Sequence, residues 1–446
     1  MPIRNFGSLC SGIEAASYTL LPMGIAPLWL SEIAEYPSRF LAMKYPEHPN
    51  VGDMNYIPDM IYNGQIEAPD LLVGGTPCQA FSLAGWRKGV DDERGQLTLK
   101  YIDIIDAIDA KHEEKGEGKA VFFWENVEGA LTDKTNAFGC FLAGLAGLEE
   151  PVKVKRFKSA GVLHGPKRNI AWRVLDAKYF GVPQQRKRVY VLGGGLDFYP
   201  ENVLFETGHR FQDPYKLKEP QQQIMFDLFG EQEPTVNQES IRQLRRRING
   251  HDIEVFRCYS DCLYASYGTK WNGNAAAFNG SLFVSQDGRL RRLTPVECER
   301  LMGFPDNYTA IANPRLTNRY QATGNSWVVP VIKWIMNRLL LLVNGGNNAI
   351  QSINLPVPCV VKDDFELFLL DDFTPVGCQY LNASNSCNDF VLSNMLDIID
   401  TDPDEKLYIS RAGCEGILRR KHEQNAKMNI RLESVLEDCV TPIVSA

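Results

Sequence analysis

The segment LLVGGTPCQAFSLAG, residues 71–85, runs from an apolar stretch through two glycines to a Pro-Cys pair at Cys78. A thiol is a strong nucleophile at neutral pH when it is exposed and electrostatically favoured, and glycines ahead of it let a ligand approach the backbone. A cysteine buried for packing is the plainer account. FFWENVEGAL sets Glu125 and Asn126 directly behind Val121, Phe122, Phe123 and Trp124. An acid at the end of a buried strand is poorly solvated, so its pKa is expected to rise, and a protonated carboxyl can donate to a ring nitrogen. Helix capping is the alternative. FGVPQQRKRVYVLG holds Arg186 and Arg188 two apart, able to point the same way and clamp a carbonyl oxygen or a phosphate, or to be solvated on an edge strand. QATGNSWVVP places Gly324, Asn325 and Ser326 ahead of a helix whose free N–H groups can meet a ligand or be capped.

The elements that must position these groups alternate. Residues 5–11, 26–32, 70–75, the KAVFFWENV run and the RVYVLGGG run read as strands. IEAASYTLLPMG, YPSRFLAMKY and GQLTLKYIDIIDAIDAKH read as helices between them. Alternation of this kind predicts an α/β fold with a largely parallel sheet covered on both faces, binding ligands beyond the carboxyl ends of its strands. Ser11, Gly12, Glu32, Cys78 and Glu125 all fall at such ends. After residue 195 the pattern breaks into a polar, glutamine-rich stretch and short strand-like pieces. It resumes near Thr294, an expected N-cap followed by Pro295 at the first helical position. The KLYISRAGCEGILRRKHEQ run is expected to be an amphipathic helix with a basic end.

The chain has 446 residues, a formal net charge of −8 and 11 cysteines. Scattered, odd-numbered cysteines argue for reduced thiols rather than a disulfide framework. No apolar run of membrane-spanning length and no long apolar leader stand out, so a cytoplasmic protein without membrane association is expected. Charge is uneven: about −11 over residues 1–150, about +11 over 151–338 and about −8 beyond. A basic centre between acidic flanks can face a polyanion. Cys258 and Cys262 have loose metal-like spacing but no second pair, so no metal is expected.

Taken together, the Pro-Cys-Gln, Glu-Asn-Val, Gln-x-Arg-x-Arg, RRLTPVECERLMGFP and Gly-Asn-Ser motifs, in this order over roughly residues 3–342, resemble the DNA cytosine-5 methyltransferases. The wording LCSGIEAAS, GGTPCQAFSLAG and AWRVLDAKYFGVPQ is similar to that of the phage and prophage enzymes. The resemblance implies a Rossmann-like class I SAM-dependent methyltransferase domain with a mixed, mostly parallel sheet, plus a smaller target-recognition domain. It implies motifs I to VIII in residues 1–195, target recognition in 196–290, the last two motifs in 291–344 and an acidic extension of open role over 345–446. Removal of that extension is expected to leave methyl transfer detectable.

The implied partner is double-stranded DNA, the implied cofactor S-adenosyl-L-methionine, and the implied state a monomer. Cys78 would add to C6 of a flipped-out cytosine, Glu125 would contact N3, Arg188 would hold O2, and Arg186 would support the pocket. Ser11, Gly12, Ile13, Glu32, Ile33, Asp53, Met54, Leu97, Asn325 and Ser326 would form the cofactor site. Gln79, Ser82, Arg87, Arg94, Lys270, Trp271, Asn272 and Arg291 would face DNA, with phosphate contacts from 151–169 and Arg242 to Arg247. The sequence departs from the family where an aromatic is Cys10, where paired glycines are Glu14 and Ala15, and where many members have a tryptophan at Ile33. Alternatives are an RNA cytosine methyltransferase and a DNA-binding regulator without catalysis.

Overall fold

Short apolar runs closed by turn residues become the strands of a nine-stranded sheet. The computed structural model describes residues 2–76, 93–208, 244–270, 278–311, 313–345 and 352–441. These divide into two units. The first comprises Met1–Asp176, Lys187–Phe211 and Val329–Asp389; the second comprises Ala177–Arg186, Gln212–Val328 and Phe390–Ala446.

In the first unit, β1 (Asn5–Leu9) and β2 (Ala26–Ser31) flank the helix α1 (Ala15–Leu20), with α2 (Glu35–Lys44) following β2. Next come β3 (Leu71–Gly74), α3 (Glu93–Glu114), β4 (Val121–Val127) and α4 (Ala137–Ala146). The strands β5 (Ala160–His164), β6 (Asn169–Asp176) and β7 (Lys187–Gly194) complete this run. The pairs β2–β1, β1–β3 and β3–β4 are parallel, whereas β4–β7, β7–β6 and β6–β5 are antiparallel. The parallel part brings the carboxyl ends of β1, β2, β3 and β4 to one edge. Gly74 is required there for close approach: a Cβ would lie 2.8 Å from that of Leu9.

The core explains the order. In α3, Tyr101, Ile104, Ile105 and Ile108 recur at helical spacing and are fully buried. Tyr101 also donates from its hydroxyl to the Phe123 carbonyl at 3.0 Å, so the ring buries without leaving a polar orphan. Trp124 packs on Phe141 of α4 with ring centroids 4.5 Å apart, and Phe138 meets Trp172 of β6 edge-on.

The basic segment 151–169 is only partly what the sequence suggested. Arg168 is fully buried, donating from Nε to Asp109 at 3.0 Å, from Nη2 to Asp106 at 2.7 Å and from Nη1 to the Leu145 carbonyl. Lys167 and Lys158 pair with Asp106 and Asp371. Arg168 serves the fold, because its buried donors already meet carboxylates and a carbonyl, whereas the Lys158 and Lys167 side chains stay partly exposed. Lys153, Lys155 and Arg156 remain exposed.

Residues beyond 345, expected as a separable extension, are divided between the units. The strand Glu366–Leu370 pairs antiparallel with β5 along five residues and continues the main sheet, with Val360–Val361 outside it. Arg173 of β6 is fully buried and donates to the carbonyls of Ser384 at 2.7 Å and Ser386 at 2.6 Å, and to that of Leu204. Leu367, Phe368 and Leu370 are buried as well. The first part of this segment is therefore a strand of the main sheet rather than a separate extension.

By length and mean hydropathy (1.5), Leu316–Val343 is the one described helical stretch able to cross a membrane. In the sequence this stretch is interrupted by polar residues and holds no continuous apolar run of that length. Its second part, the helix Val329–Val343, buries Val329, Val331, Ile332, Ile335, Met336 and Leu339 and packs against α1, as a core helix does.

In the second unit, Arg245–Ile248, His251–Val255, Phe283–Gln286 and Arg289–Arg292 form an antiparallel four-stranded sheet. Thr294 caps the helix Pro295–Leu301 as expected, completing a capping box with Glu297. The expected amphipathic helix is Arg411–Glu423, with Arg420, Lys421 and His422 in its last turn. With Ile430–Val440 it covers Phe256, Phe283 and Leu290 through Cys414, Ile417, Leu432 and Leu436.

Candidate active site

The first turn is built by left-handed residues. Cys10, Gly12 and Glu14 have φ of 51°, 56° and 59°, a conformation that favours glycine and turns the chain sharply off β1. The Gly12 N–H donates to Glu32 Oε2 at 2.9 Å. Glu32 Oε1 accepts from the N–H groups of Ile33 at 2.9 Å and Ala34 at 2.8 Å. Asn50 brackets the backbone of Glu32 from both sides. A carboxylate fixed by three backbone donors at the end of β2 is aimed before any ligand arrives.

Around it, Asp53 is partly buried and caps the turn Met54–Tyr56 through the Asn55 N–H at 2.9 Å. Met54 is buried, with Cys10 Sγ 4.0 Å from its sulfur, and Ile13 is buried beneath the turn. Ile33 is 75% exposed. Leu97 on α3 is partly buried. These residues all belong to the first unit. Asn325 and Ser326 lie in the second, where Asn325 ends the helix Leu316–Asn325 and Ser326 follows it. Gly324 and Asn325 thus close one helix rather than directly preceding the next.

Glu125 sits near the end of β4, 8% exposed, and Arg188 Nε lies 3.1 Å from its Oε1. The guanidinium arrives there because β4 and β7 pair with Val127 opposite Arg188. The acid that the sequence suggested would be poorly solvated is paired with a cation, which offsets its burial. Beside it, Asn126 donates from Nδ2 to the carbonyl of Thr76 at 3.0 Å. Thr76 Oγ1 accepts from Trp124 Nε1 at 3.1 Å and bonds the Thr98 hydroxyl at 3.0 Å. The chain leaving β3 is therefore anchored to β4 two residues before Cys78. Cys78 itself lies outside the described residues, as do Gln79, Ser82, Arg87, Trp271, Asn272 and Arg242. Arg94 is in the first turn of α3, and its side chain is outside the description.

Arg186 belongs to the second unit and is 3% exposed. It donates to the carbonyls of Leu263 at 3.0 Å, Gly324 at 3.2 Å and Ser326 at 2.9 Å. Its donors fix the Gly-Asn-Ser segment, which is a supporting arrangement. Lys270 is exposed at the end of the turn Tyr267–Lys270. Arg245, Arg246 and Arg247 are exposed on the outer strand of the second unit's sheet, the first two paired with Glu254 and Asp397.

Arg291, expected to face DNA, is corrected by the structure. Its guanidinium is fully buried, with Glu297 at 2.8 and 2.9 Å, Gln286 at 3.0 Å and the Asp400 carbonyl at 3.0 Å. Both Leu290 and Arg291 of this strand are buried, on opposite faces, which the residue type alone does not reveal. Arg291→Ala is expected to lower stability by about 3–5 kcal/mol in chemical denaturation, because Glu297 would be left buried without its cation. The salt slope of DNA affinity is expected to stay unchanged, whereas loss of a phosphate contact would reduce it by about one.

Several positioning residues escape a reading of the sequence. Thr76 and Thr98 carry no motif signal. Asn126 was visible beside Glu125 but without a task. Glu14 was visible as a departure from the family glycine, and the structure gives it a buried network of its own.

A sheet whose parallel strands end in Ser11–Gly12, Glu32 and the anchored Thr76 is a Rossmann-like class I SAM-dependent methyltransferase fold. The chain belongs to the C-5 cytosine-specific DNA methylase family, which its residues 4–340 match; the cofactor of this family is S-adenosyl-L-methionine. It is 34% identical to a protein of Escherichia phage P1 named DNA N-6-adenine-methyltransferase, over 75% of this chain and 61% of the relative. It therefore spans less than two thirds of that relative's length. It is 27% identical to the type II methyltransferase M.HhaI of Haemophilus parahaemolyticus, over 74% of this chain and 92% of the relative. The solved Dnmt2 methyltransferase of S. pombe is 16% identical, covering 77% of this chain and 99% of its own, with a TM-score of 0.48.

Proposed function

We propose that this protein methylates C5 of a flipped-out cytosine in a specific duplex DNA sequence, through a transient bond between Cys78 and C6 of the base. The observation that carries the reading is the anchoring of Thr76, just beyond β3, to the two residues flanking Glu125: Asn126 donates to its carbonyl and Trp124 to its hydroxyl. C5 of cytosine is a weak nucleophile. Addition of the Cys78 thiolate at C6 pushes electrons toward C5, and a proton held by Glu125 at N3 stabilises the adduct. Arg188 keeps Glu125 in place and offers a donor for O2. After methylation, loss of the C5 proton expels the thiolate. The target atom is unreachable inside a duplex, so the base must leave the stack.

The residues present fit the methyl donor. A glycine turn with positive φ leaves room beside β1, Glu32 presents acceptors for ribose hydroxyls, and Asp53 stands ready for an adenine amine. When bound there, the donor supplies an electrophilic methyl group. The second unit would read DNA with its exposed arginine strand and Lys270. Relatives from a phage and a type II system support a phage or restriction–modification setting in a bacterial cytoplasm. The name of the phage P1 relative raises a second reading, methylation of adenine N6, which needs no thiolate addition.

The test is transfer of labelled methyl from S-adenosyl-L-methionine to duplex DNA and to tRNA, with nucleosides separated after digestion. The expected product is 5-methylcytosine from DNA. N6-methyladenine, or label in tRNA alone, would overturn the proposal. Bisulfite sequencing of DNA from expressing cells then gives the site.

A further inference from the structure

The backbone of Glu14 holds the left-handed conformation, φ 59° and ψ 61°, that a glycine adopts freely. A glutamate placed there must be held by its side chain. Its carboxyl is 1% exposed, and three donors converge on it. Ser8 Oγ donates to Oε2 at 2.9 Å, while the N–H and hydroxyl of Ser17 donate to Oε1 at 2.9 and 3.1 Å. The chain of bonds continues upward. Ser11 Oγ donates to Ser8 at 3.0 Å and accepts from the Ser31 N–H at 3.1 Å, and the Ser11 N–H donates to the Ser31 carbonyl. Ser31 immediately precedes Glu32, and Gly12 follows Ser11 and bonds Glu32. One buried carboxylate thus terminates a network that ties together both strand ends of the donor turn.

We propose that Glu14 is a positioning residue for S-adenosyl-L-methionine: ionised, it holds the Ser8–Ser11–Gly12 turn in the shape that receives the donor, and protonated, it releases that shape. The inference rests on the reading of this turn as the donor site. An ionised carboxylate only accepts, so it satisfies all three donors at once. A protonated one must donate, and its nearest side-chain acceptors are the hydroxyls of Ser8 and Ser17. Donation to Ser8 reverses the direction of the chain through Ser11.

The surroundings leave the change to this group. Among the described elements, α1, β1 and β2 carry no charged side chain. On the helix packed against α1, Lys333 is exposed and Arg338 donates to the carbonyls of Val203, Asn202 and Phe205. Glu32, Asp53 and the Cys10 thiol stand at the other side of the turn. Burial pushes the Glu14 pKa up to about 7, with hydrogen bonds from Ser8, Ser17 and Ser11 opposing. Folding stability contributed by this group therefore falls as pH rises toward about 7, since the folded chain holds a proton the unfolded chain releases. Donor binding runs the other way.

The test is calorimetric titration of S-adenosyl-L-methionine into the full chain between pH 5.5 and 8.5. The native protein is expected to bind about tenfold tighter at the upper end, equivalent to one pKa unit of coupling. E14Q is expected to bind weakly with that component gone; any slope it retains belongs to the donor's own amine. Ser8→Ala is expected to move the inflection to higher pH, because it removes a bond to the ionised form, and a merely structural role would not do this. The carboxylic-acid infrared band of the ligand-free native protein, lost in E14Q, is a readout needing no binding. A native profile no steeper than that of E14Q overturns the inference. Should E14Q not fold, an unmoved inflection in Ser8→Ala overturns it instead. If Glu32→Ala leaves donor binding unchanged, the donor-site reading itself fails. If Glu32→Ala weakens binding while E14Q behaves as native, only the role of Glu14 fails.

Discussion

Glu125→Gln is expected to lower methyl transfer to duplex DNA by about a thousandfold while leaving donor affinity within a factor of about two. The physical basis is local. Glu125 is nearly buried, 3.1 Å from Arg188 Nε, at the end of β4, and the donor turn stands beyond β1 and β2. Glutamine keeps the volume but cannot share a proton with a ring nitrogen, so the stabilisation of the adduct is lost. It also leaves the Arg188 guanidinium without this carboxylate, so the group proposed to hold the base loses this fixed orientation. The two effects act on the same step and should not add, so an Arg188→Lys, Glu125→Gln double variant is expected to be little worse than Glu125→Gln alone. Single-turnover kinetics with labelled donor give the number. A Glu125→Gln enzyme within tenfold of native would remove this residue from the chemistry.

A chain ended at residue 345 is expected not to fold cooperatively and to transfer no methyl group. The truncation strips the Glu366–Leu370 strand from β5 and removes the Ser384 and Ser386 carbonyls from Arg173. Arg173 is fully buried, and burial already pulls its pKa down to about 10. Leaving such a guanidinium short of acceptors costs about 3–5 kcal/mol. Losing the burial of Leu367, Phe368 and Leu370 adds about 1.5–3 kcal/mol each. In the second unit, the covers over Phe256, Phe283 and Leu290 go as well. The sum exceeds much of the roughly 5–15 kcal/mol that holds a domain together. Circular dichroism melts of the two chain lengths check this. A soluble truncated chain with a sharp transition and native transfer would show the strand to be an ornament.

The parts of the fold that were legible are those where pattern and chemistry coincide. Alternating strands and helices through residue 146, the Thr294 cap and the Arg411–Glu423 helix follow from local rules, because turn residues and apolar spacing act within a few positions. The antiparallel half of the sheet was less legible. In β6, Asn169–Asp176 is buried along its whole length, so no alternation marks it. The strand Glu366–Leu370 is short and set among acids, and its partner lies some two hundred residues away. The site was readable where motif and strand end coincide, as at Glu32 and Glu125. It was unreadable where a side chain's direction decides its use. Arg291 and Arg168 look like phosphate ligands by type, yet each turns inward to carboxylates. Glu14 was legible only as an anomaly, because its role depends on three hydroxyl and amide donors that meet in space.

The most direct test of the whole account is covalent trapping on duplex DNA in which the target cytosine is 5-fluorocytosine. Fluorine at C5 blocks the final elimination, so the adduct between Cys78 and C6 should persist. With S-adenosyl-L-methionine present, a complex stable to denaturing electrophoresis is predicted for the native chain and absent for Cys78→Ala, and peptide mapping should place the modified base on Cys78. A native enzyme that methylates normal target DNA but forms no such complex, or forms it equally in Cys78→Ala, would contradict the central claim.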